Sequence, residues 1–148
     1  MVSKTNEQAL EASIEKYLTG TCLEELTAIR DSAAQVSAGP NHGYQLGRAA
    51  DFNARYAVDS RCLWQFLQDS QGDELERLKQ RYDDWDLRIL ERFDRLAKKY
   101  GVLHLLKRGL AIDDVHLNLM YPAPLVSSSA RVKQQFAANI FSSTSQVR

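Results

Sequence analysis

The sequence predicts a helix-dominated domain carrying two short strands near its C-terminal end. Three observations lead there. Apolar residues recur at helical spacing through most of the 148 residues. The period drops to two only at Val115, Leu117, Leu119 and Tyr121, which alternate with His116, Asn118 and Met120. The glycines and prolines fall mostly between the periodic runs.

Taken in order, Thr5 and Gln8 have the spacing of a capping box, and Leu10, Ile14, Tyr17 and Leu18 then share one face, predicting a first helix over residues 6–18. Gly20 breaks it, and Cys22, Leu26 and Ile29 predict a second, short helix. Residues 31–53 hold Gly39, Pro40, Gly43 and Gly47 and read mostly as loop. Val58, Cys62, Leu63, Phe66 and Leu67 predict a helix over 54–70, ended by Gly72. Asp73 can cap another over 74–82, and Asp83 or Asp84 starts a longer one whose Leu87, Leu90, Phe93, Leu96, Ala97 and Tyr100 face inward up to the stop at Gly101. A short helix over 102–108 ends at Gly109, and the first strand, 115–121, ends at Pro122. Ser127 to Ser129 offer a cap for a last helix with Val132, Phe136 and Ile140. Residues 142–148 have the character of a second strand whose sheet partners would come from other sequence or another chain.

The length fits one domain. Nineteen basic and nineteen acidic residues cancel, so no global positive field announces a polyanionic ligand and any such contact must come from a local patch. Cys22 and Cys62 lack zinc-site spacing and the density of a disulfide scaffold, and read as reduced thiols. No apolar run reaches the roughly 18 residues of a membrane span, and no signal-peptide core is present, so the expected location is the cytoplasm, away from the membrane.

Among chemistry-bearing residues, Glu11 and Glu15 share a helix face at a spacing where two carboxylates could meet one divalent cation, although a solvated polar face has the same pattern. His42, His104 and His116 have no ligand spacing, so no metal site is assigned. Arg88, Arg92, Arg95 and Lys99 recur every three or four residues, with Lys98, Lys107 and Arg108 close by, which gives a candidate phosphate-binding face in Arg92, Arg95, Lys99, Lys107 and Arg108. Glu91 with Arg95 and Asp94 with Lys98 are acid-first pairs that an ordinary solvated helix would also contain. No Asp-x-Lys or Glu-x-Lys, no phosphate-binding loop and no nucleophile elbow occurs, so the residues alone identify no catalysis.

Five segments, ALEASIEKYLTGT (9–21), HGYQLGRAADFNARYAVDSRCLWQFLQDSQ (42–71), YGVLHLLKRGL (100–110), HLNLMYPAP (116–124) and VKQQFAANIFSSTSQVR (132–148), resemble in order and spacing the opening of the R (HsdR-type) subunit of type I restriction-modification enzymes. The resemblance implies the helical part of an α/β restriction-endonuclease-like nuclease domain of the PD-(D/E)xK type. In the complete subunit, ATP-dependent motor domains follow it. It also implies DNA and the modification and specificity subunits as partners, and Mg2+ and ATP as cofactors of the complete subunit, though none for this segment. The family's catalytic Asp and Glu-x-Lys would follow Arg148, and Glu11, within LEASI, matches a helix-borne glutamate on the metal side of such sites, while Glu15 is expected at the surface. Ser145 departs from the family pattern, where an arginine commonly precedes the glutamine. The expectation is an N-terminal fragment of a DNA endonuclease and translocase, inactive alone; a non-catalytic DNA- or protein-binding module and an inactive remnant are the alternatives.

Overall fold

In the computed structural model of the chain, residues 4–22 and 43–145 are described. They form five helices and a few short strands: α1 (Lys4–Thr19), β1 (Gln45–Leu46), β2 (Phe52–Asn53), β3 (Val58–Asp59), α2 (Ser60–Arg81), α3 (Trp85–Tyr100), α4 (Val102–Arg108), β4 (Leu110–Ile112), β5 (Val115–Leu117), α5 (Ala130–Ala137) and β6 (Ser142–Ser143). The helix expected around Leu26 and Ile29 lies outside the described residues. The chain divides into two compact units, one of the described residues up to Ala54 together with those from Ile140, the other Arg55–Asn139.

In the first unit α1 packs on a parallel pair formed by β1 and β6, with Gln45 opposite Ser142 and Leu46 opposite Ser143. The strand at the C-terminal end therefore finds a partner within this chain, which corrects the expectation that its partners must come from elsewhere. Only Ser142–Ser143 of the expected 142–148 is strand among the described residues. The approach is close: a Cβ on Gly47 would lie 2.0 Å from Thr144 Oγ1, so a larger residue there requires the Thr144 side chain to move, and Gly47 N–H donates to the Ser143 carbonyl at 2.8 Å.

Helix α1 is turned differently from its apolar pattern. Leu10, Ile14 and Tyr17 are 61%, 49% and 64% exposed, whereas Glu15 is 3% exposed and Thr19 is buried. Two strands of two residues, largely Gln and Ser, offer little apolar area, so the hydrophobic gain that would turn the Leu10 face inward is missing. The Thr19 hydroxyl donates to the Glu15 carbonyl at 2.8 Å and ties off the last turn.

The second unit holds a compact core of Leu67, Leu75, Leu78, Ile89, Leu105, Leu110, Val115 and Leu117, each essentially excluded from solvent. At ~1.5–3 kcal/mol for each buried aliphatic side chain, this cluster is the main cohesive term. Helix α2 starts at Ser60, six residues later than its pattern begins, because Asp59 caps it by accepting the Cys62 N–H at 2.9 Å. Its Cys62, Phe66 and Leu67 are buried, as the periodicity predicts.

The interruption expected at Gly72 is present as a break: Gln71 leaves helical geometry at φ −146°, ψ 41°. The break aims the Gln71 side chain at the chain leaving β5. There its amide pairs with both peptide groups of Asn118, with Oε1 accepting the N–H at 2.7 Å and Nε2 donating to the carbonyl at 2.8 Å. Asn139, just past α5, does the same to Tyr121: Oδ1 accepts the N–H at 3.0 Å and Nδ2 donates to the carbonyl at 2.7 Å.

These two clamps explain why the expected strand 115–121 is regular only over Val115–Leu117. It is the outer strand of a two-stranded antiparallel hairpin with β4, Leu110 opposite Leu117 and Ile112 opposite Val115. Beyond Leu117 side-chain amides replace a third strand as partners of the backbone. The hairpin starts at Gly109, whose φ of 70° favours glycine and where a Cβ would lie 2.4 Å from the Leu117 carbonyl oxygen. Helix α5 is capped by Ser129, as its serine cluster predicts.

Replacing Gln71 with Ala leaves the Asn118 peptide without its partners and is expected to cost about 1–3 kcal/mol of stability. Asn139→Ala should act similarly at Tyr121. Chemical denaturation of the two variants checks this, and midpoints unchanged from the parent chain would show that solvent replaces the clamps at no cost.

Candidate nucleic-acid interface

Helix α3 buries Ile89 and Leu90, with Phe93, Leu96 and Ala97 half-buried beside them. Ile89 was not among the residues expected inside, and Leu87 and Tyr100, which were, are exposed. The buried face is thus rotated toward Ile89, following the contact of α3 with β4 and α4.

The rotation turns the basic residues of α3 toward an open groove of about 360 Å3, lined by Arg88, Glu91, Arg92 and Arg95 on one side and by Ala111, Ile112 and Asp113 on the other. Arg92 Nε donates to the Ala111 carbonyl at 3.1 Å, holding the guanidinium against the outer edge of β4. Arg88 is occupied by the Asp84 carboxylate at 2.9 Å and stacks over the Tyr82 ring at 4.0 Å. Asp94 pairs with Lys98 at 2.7 Å, as its spacing predicts. The equally spaced Glu91 and Arg95 form no such pair, so Arg95 has no ion-pair partner among the described residues.

Below the groove, the hairpin turn Asp113-Asp114 is gripped by α2. Arg77 and Arg81 donate to the two Asp114 carboxylate oxygens at 2.6 Å each, Arg77 also bonds Glu74 at 3.0 Å, and the Tyr82 hydroxyl donates to Asp113. The hydrogen bond from Arg81 holds the Asp114 carboxyl below the ordinary carboxylate range, and in return Asp114 raises the Arg81 guanidinium. The bond to Asp113 raises the Tyr82 phenol. A larger hollow of about 650 Å3 lies beside the break in α2, with Asp69, Asp73, Glu74 and Asp114 as well as Arg77 and Arg131 in its lining.

The remaining expected cations flank the α3–α4 corner, where Gly101 N–H closes α3 on the Ala97 carbonyl at 2.9 Å: Lys99 in the last turn of α3, Lys107 and Arg108 in the last turn of α4. Lys99 Nζ lies over the Tyr100 ring, 4.9 Å from its centroid, and His104 stacks on that ring at 4.9 Å with 26° between planes. Lys107 and Arg108 follow His104 by three and four residues and are exposed. The structure therefore splits the five expected residues into two groups, Arg92 with Arg95 in the groove and Lys99, Lys107 and Arg108 at the corner. The Tyr100–His104 pair was missed; its signal was an aromatic and a histidine four apart directly after Lys98-Lys99.

Glu11 is half-buried on α1 and Glu15, expected at the surface, is the buried one of the two. Among the described residues no three His, Cys, Asp or Glu side chains gather as a metal site, so Glu11 and Glu15 do not amount to a magnesium centre. Nor do the residues offer a phosphate loop to hold ATP. Cys22 and Cys62 are buried and form no disulfide. No helix of the described residues is long and apolar enough to cross a membrane. Comparison of the chain with protein-family models, with curated proteins and with solved structures gives no match.

Because the folded Asp114 carboxyl sits below its unfolded value, its contribution to stability is fully present above about pH 4 and is lost as pH falls through the lower folded value. Asp114→Asn should lower the melting temperature at pH 7, and its deficit against the parent chain should shrink as pH falls from 5 to 2. A deficit that stays constant over that range would mean the charge of Asp114 does not matter.

Proposed function

We propose that this chain is the helical N-terminal part of the nuclease domain of a type I restriction R subunit. The complete form of that subunit cleaves and translocates DNA with magnesium and ATP in concert with modification and specificity subunits. What supports the reading is the resemblance of five segments of the chain, in order and spacing, to that family's opening. The described fold is compatible with it, being mainly helical with short strands, and it contains no assembled cleavage centre of its own. In this reading the Asp and the Glu-x-Lys that bind the metal belong to sequence after Arg148, Glu11 approaches them from α1, and the segment requires no cofactor. Cutting a phosphodiester requires several ligands converging on a cation to activate water and stabilise the leaving oxyanion, and one helix-borne glutamate cannot do this.

A second reading, a DNA-binding module without catalysis, is favoured by one specific observation: residues 95–112 contain Arg95, Lys98, Lys99, Lys107 and Arg108 and no acidic residue. In a chain whose charges cancel, that stretch is a local positive surface suited to phosphates. The two readings separate on the DNA beyond codon 148. A continuation encoding an Asp-bearing strand and then Glu-x-Lys is expected; a stop with no such sequence downstream in any frame would overturn the first reading and leave the module.

The 148-residue chain alone is expected to leave supercoiled plasmid intact in the presence of magnesium and ATP. Reproducible nicking by purified chain that Glu11→Gln abolishes would contradict this and place a complete centre within these residues.

A further inference from the structure

We infer that the α3–α4 corner is a binding site for single-stranded nucleic acid, with Tyr100 and His104 as its stacking platform and Lys99, Lys107 and Arg108 as its phosphate contacts. The inference depends on the proposed function only in taking DNA as the polymer; its claim, a preference for unpaired over paired strands, stands on the corner's own chemistry.

Large apolar side chains are usually turned away from water, yet this corner displays several. Tyr100 is 51% exposed and Leu103 65%, and the His104 ring beside them is also exposed. Tyr100 and His104 are already aligned within 26° of each other at stacking distance. A base released from a duplex can extend such a stack, because every base has a π face, whereas paired bases are already stacked on one another. The platform is firmly mounted: Leu105, one residue after His104, is fully buried, and the Gly101 N–H closes the end of α3.

One cation lies over the Tyr100 ring, and two more lie three and four residues after His104 on the same helix. Lys99 lies over the Tyr100 ring with no carboxylate partner, and Lys107 and Arg108 likewise have no ion pair among the described residues. This contrasts with Arg77, Arg81 and Arg88, all held by carboxylates. Residues 95–112 contain no acid, so the chain through the corner carries cations only. Cations next to an exposed aromatic stack form the arrangement by which sequence-tolerant single-strand binding works, with phosphates supplying affinity and rings supplying preference for unstacked bases.

The test is fluorescence anisotropy of the full chain with a labelled 20-nucleotide oligo-dT and a labelled 20-base-pair duplex at several salt concentrations. Tighter binding of the single strand is expected. Tyr100→Ala should weaken single-strand binding by about fivefold or more while leaving the weaker duplex binding unchanged, and Tyr100→Phe, which keeps the ring, should bind as the parent does. Lys107→Glu with Arg108→Glu should weaken both and flatten the salt dependence. Thermal unfolding of each variant checks that it is folded, and the comparison of single strand with duplex on the parent chain keeps the test decisive if Tyr100→Ala is not. Duplex binding equal to or tighter than single-strand binding, or a folded Tyr100→Ala that binds oligo-dT normally, overturns the inference. So does a chain that binds neither nucleic acid but takes poly-glutamate at these cations, which would assign the corner to an acidic protein surface. None of these outcomes decides the family reading, which is tested by the sequence beyond codon 148.

Discussion

The second unit depends on how the chain leaving β5 satisfies its peptide groups. A two-stranded hairpin has an open edge, and a buried or half-buried backbone N–H or carbonyl without a partner costs as much as a lost hydrogen bond. Here Gln71 and Asn139 each lend a side-chain amide that imitates a neighbouring strand, pairing with Asn118 and Tyr121. Gln71 can reach only because α2 breaks at that residue. The break that looks like a defect in a 22-residue helix is thus the means by which a helix completes a sheet edge. From there the hairpin is fixed at its tip by Arg77 and Arg81 and along its outer edge by Arg92, which aligns α3 beside it.

Charge is partitioned along the chain by pairing more than by number. Arg77 and Arg81 of α2 pair with Glu74, Asp113 and Asp114 and hold the hairpin, and Arg88 at the start of α3 pairs with Asp84. Between Arg95 and Ile112 there is no acidic residue, while the cations continue. Exposed ion pairs contribute little stability individually, but the network around Asp114 engages both carboxylate oxygens and so fixes geometry. Of the cations with no carboxylate partner among the described residues, Arg92 and Arg95 line the groove, and Lys99, Lys107 and Arg108 belong to the end of α3 and to α4.

Much of this was legible in the sequence. The break near Gly72, the Gly101 and Gly109 stops, the serine cap of α5 and the buried set Cys62, Phe66 and Leu67 all follow from local chemistry that tertiary packing did not override. What was not legible depended on partners distant in sequence. The outward stripe of Leu10, Ile14 and Tyr17 has a sound helical period, but among the described residues the small polar strand pair that α1 packs on offers little apolar area to bury it against. The parallel pairing of Gln45–Leu46 with Ser142–Ser143 joins residues far apart in sequence, and two-residue strands leave no periodicity to detect. The clamps of Gln71 and Asn139 look like ordinary polar residues until their targets are known. At the candidate site the cations were legible as residues, whereas their division into groove and corner, and the stacking of Tyr100 on His104, came from the turn at Gly101.

The central claim is that side-chain amides substitute for a missing strand, and amide hydrogen exchange measured residue by residue tests it most directly. The Asn118 and Tyr121 amides should exchange in the native chain at rates comparable to those of the core strand residues Val115 and Leu117, and Gln71→Ala should release Asn118 far more than Tyr121. Rapid exchange of both amides in the unaltered chain, with Val115 and Leu117 still protected, would contradict the account.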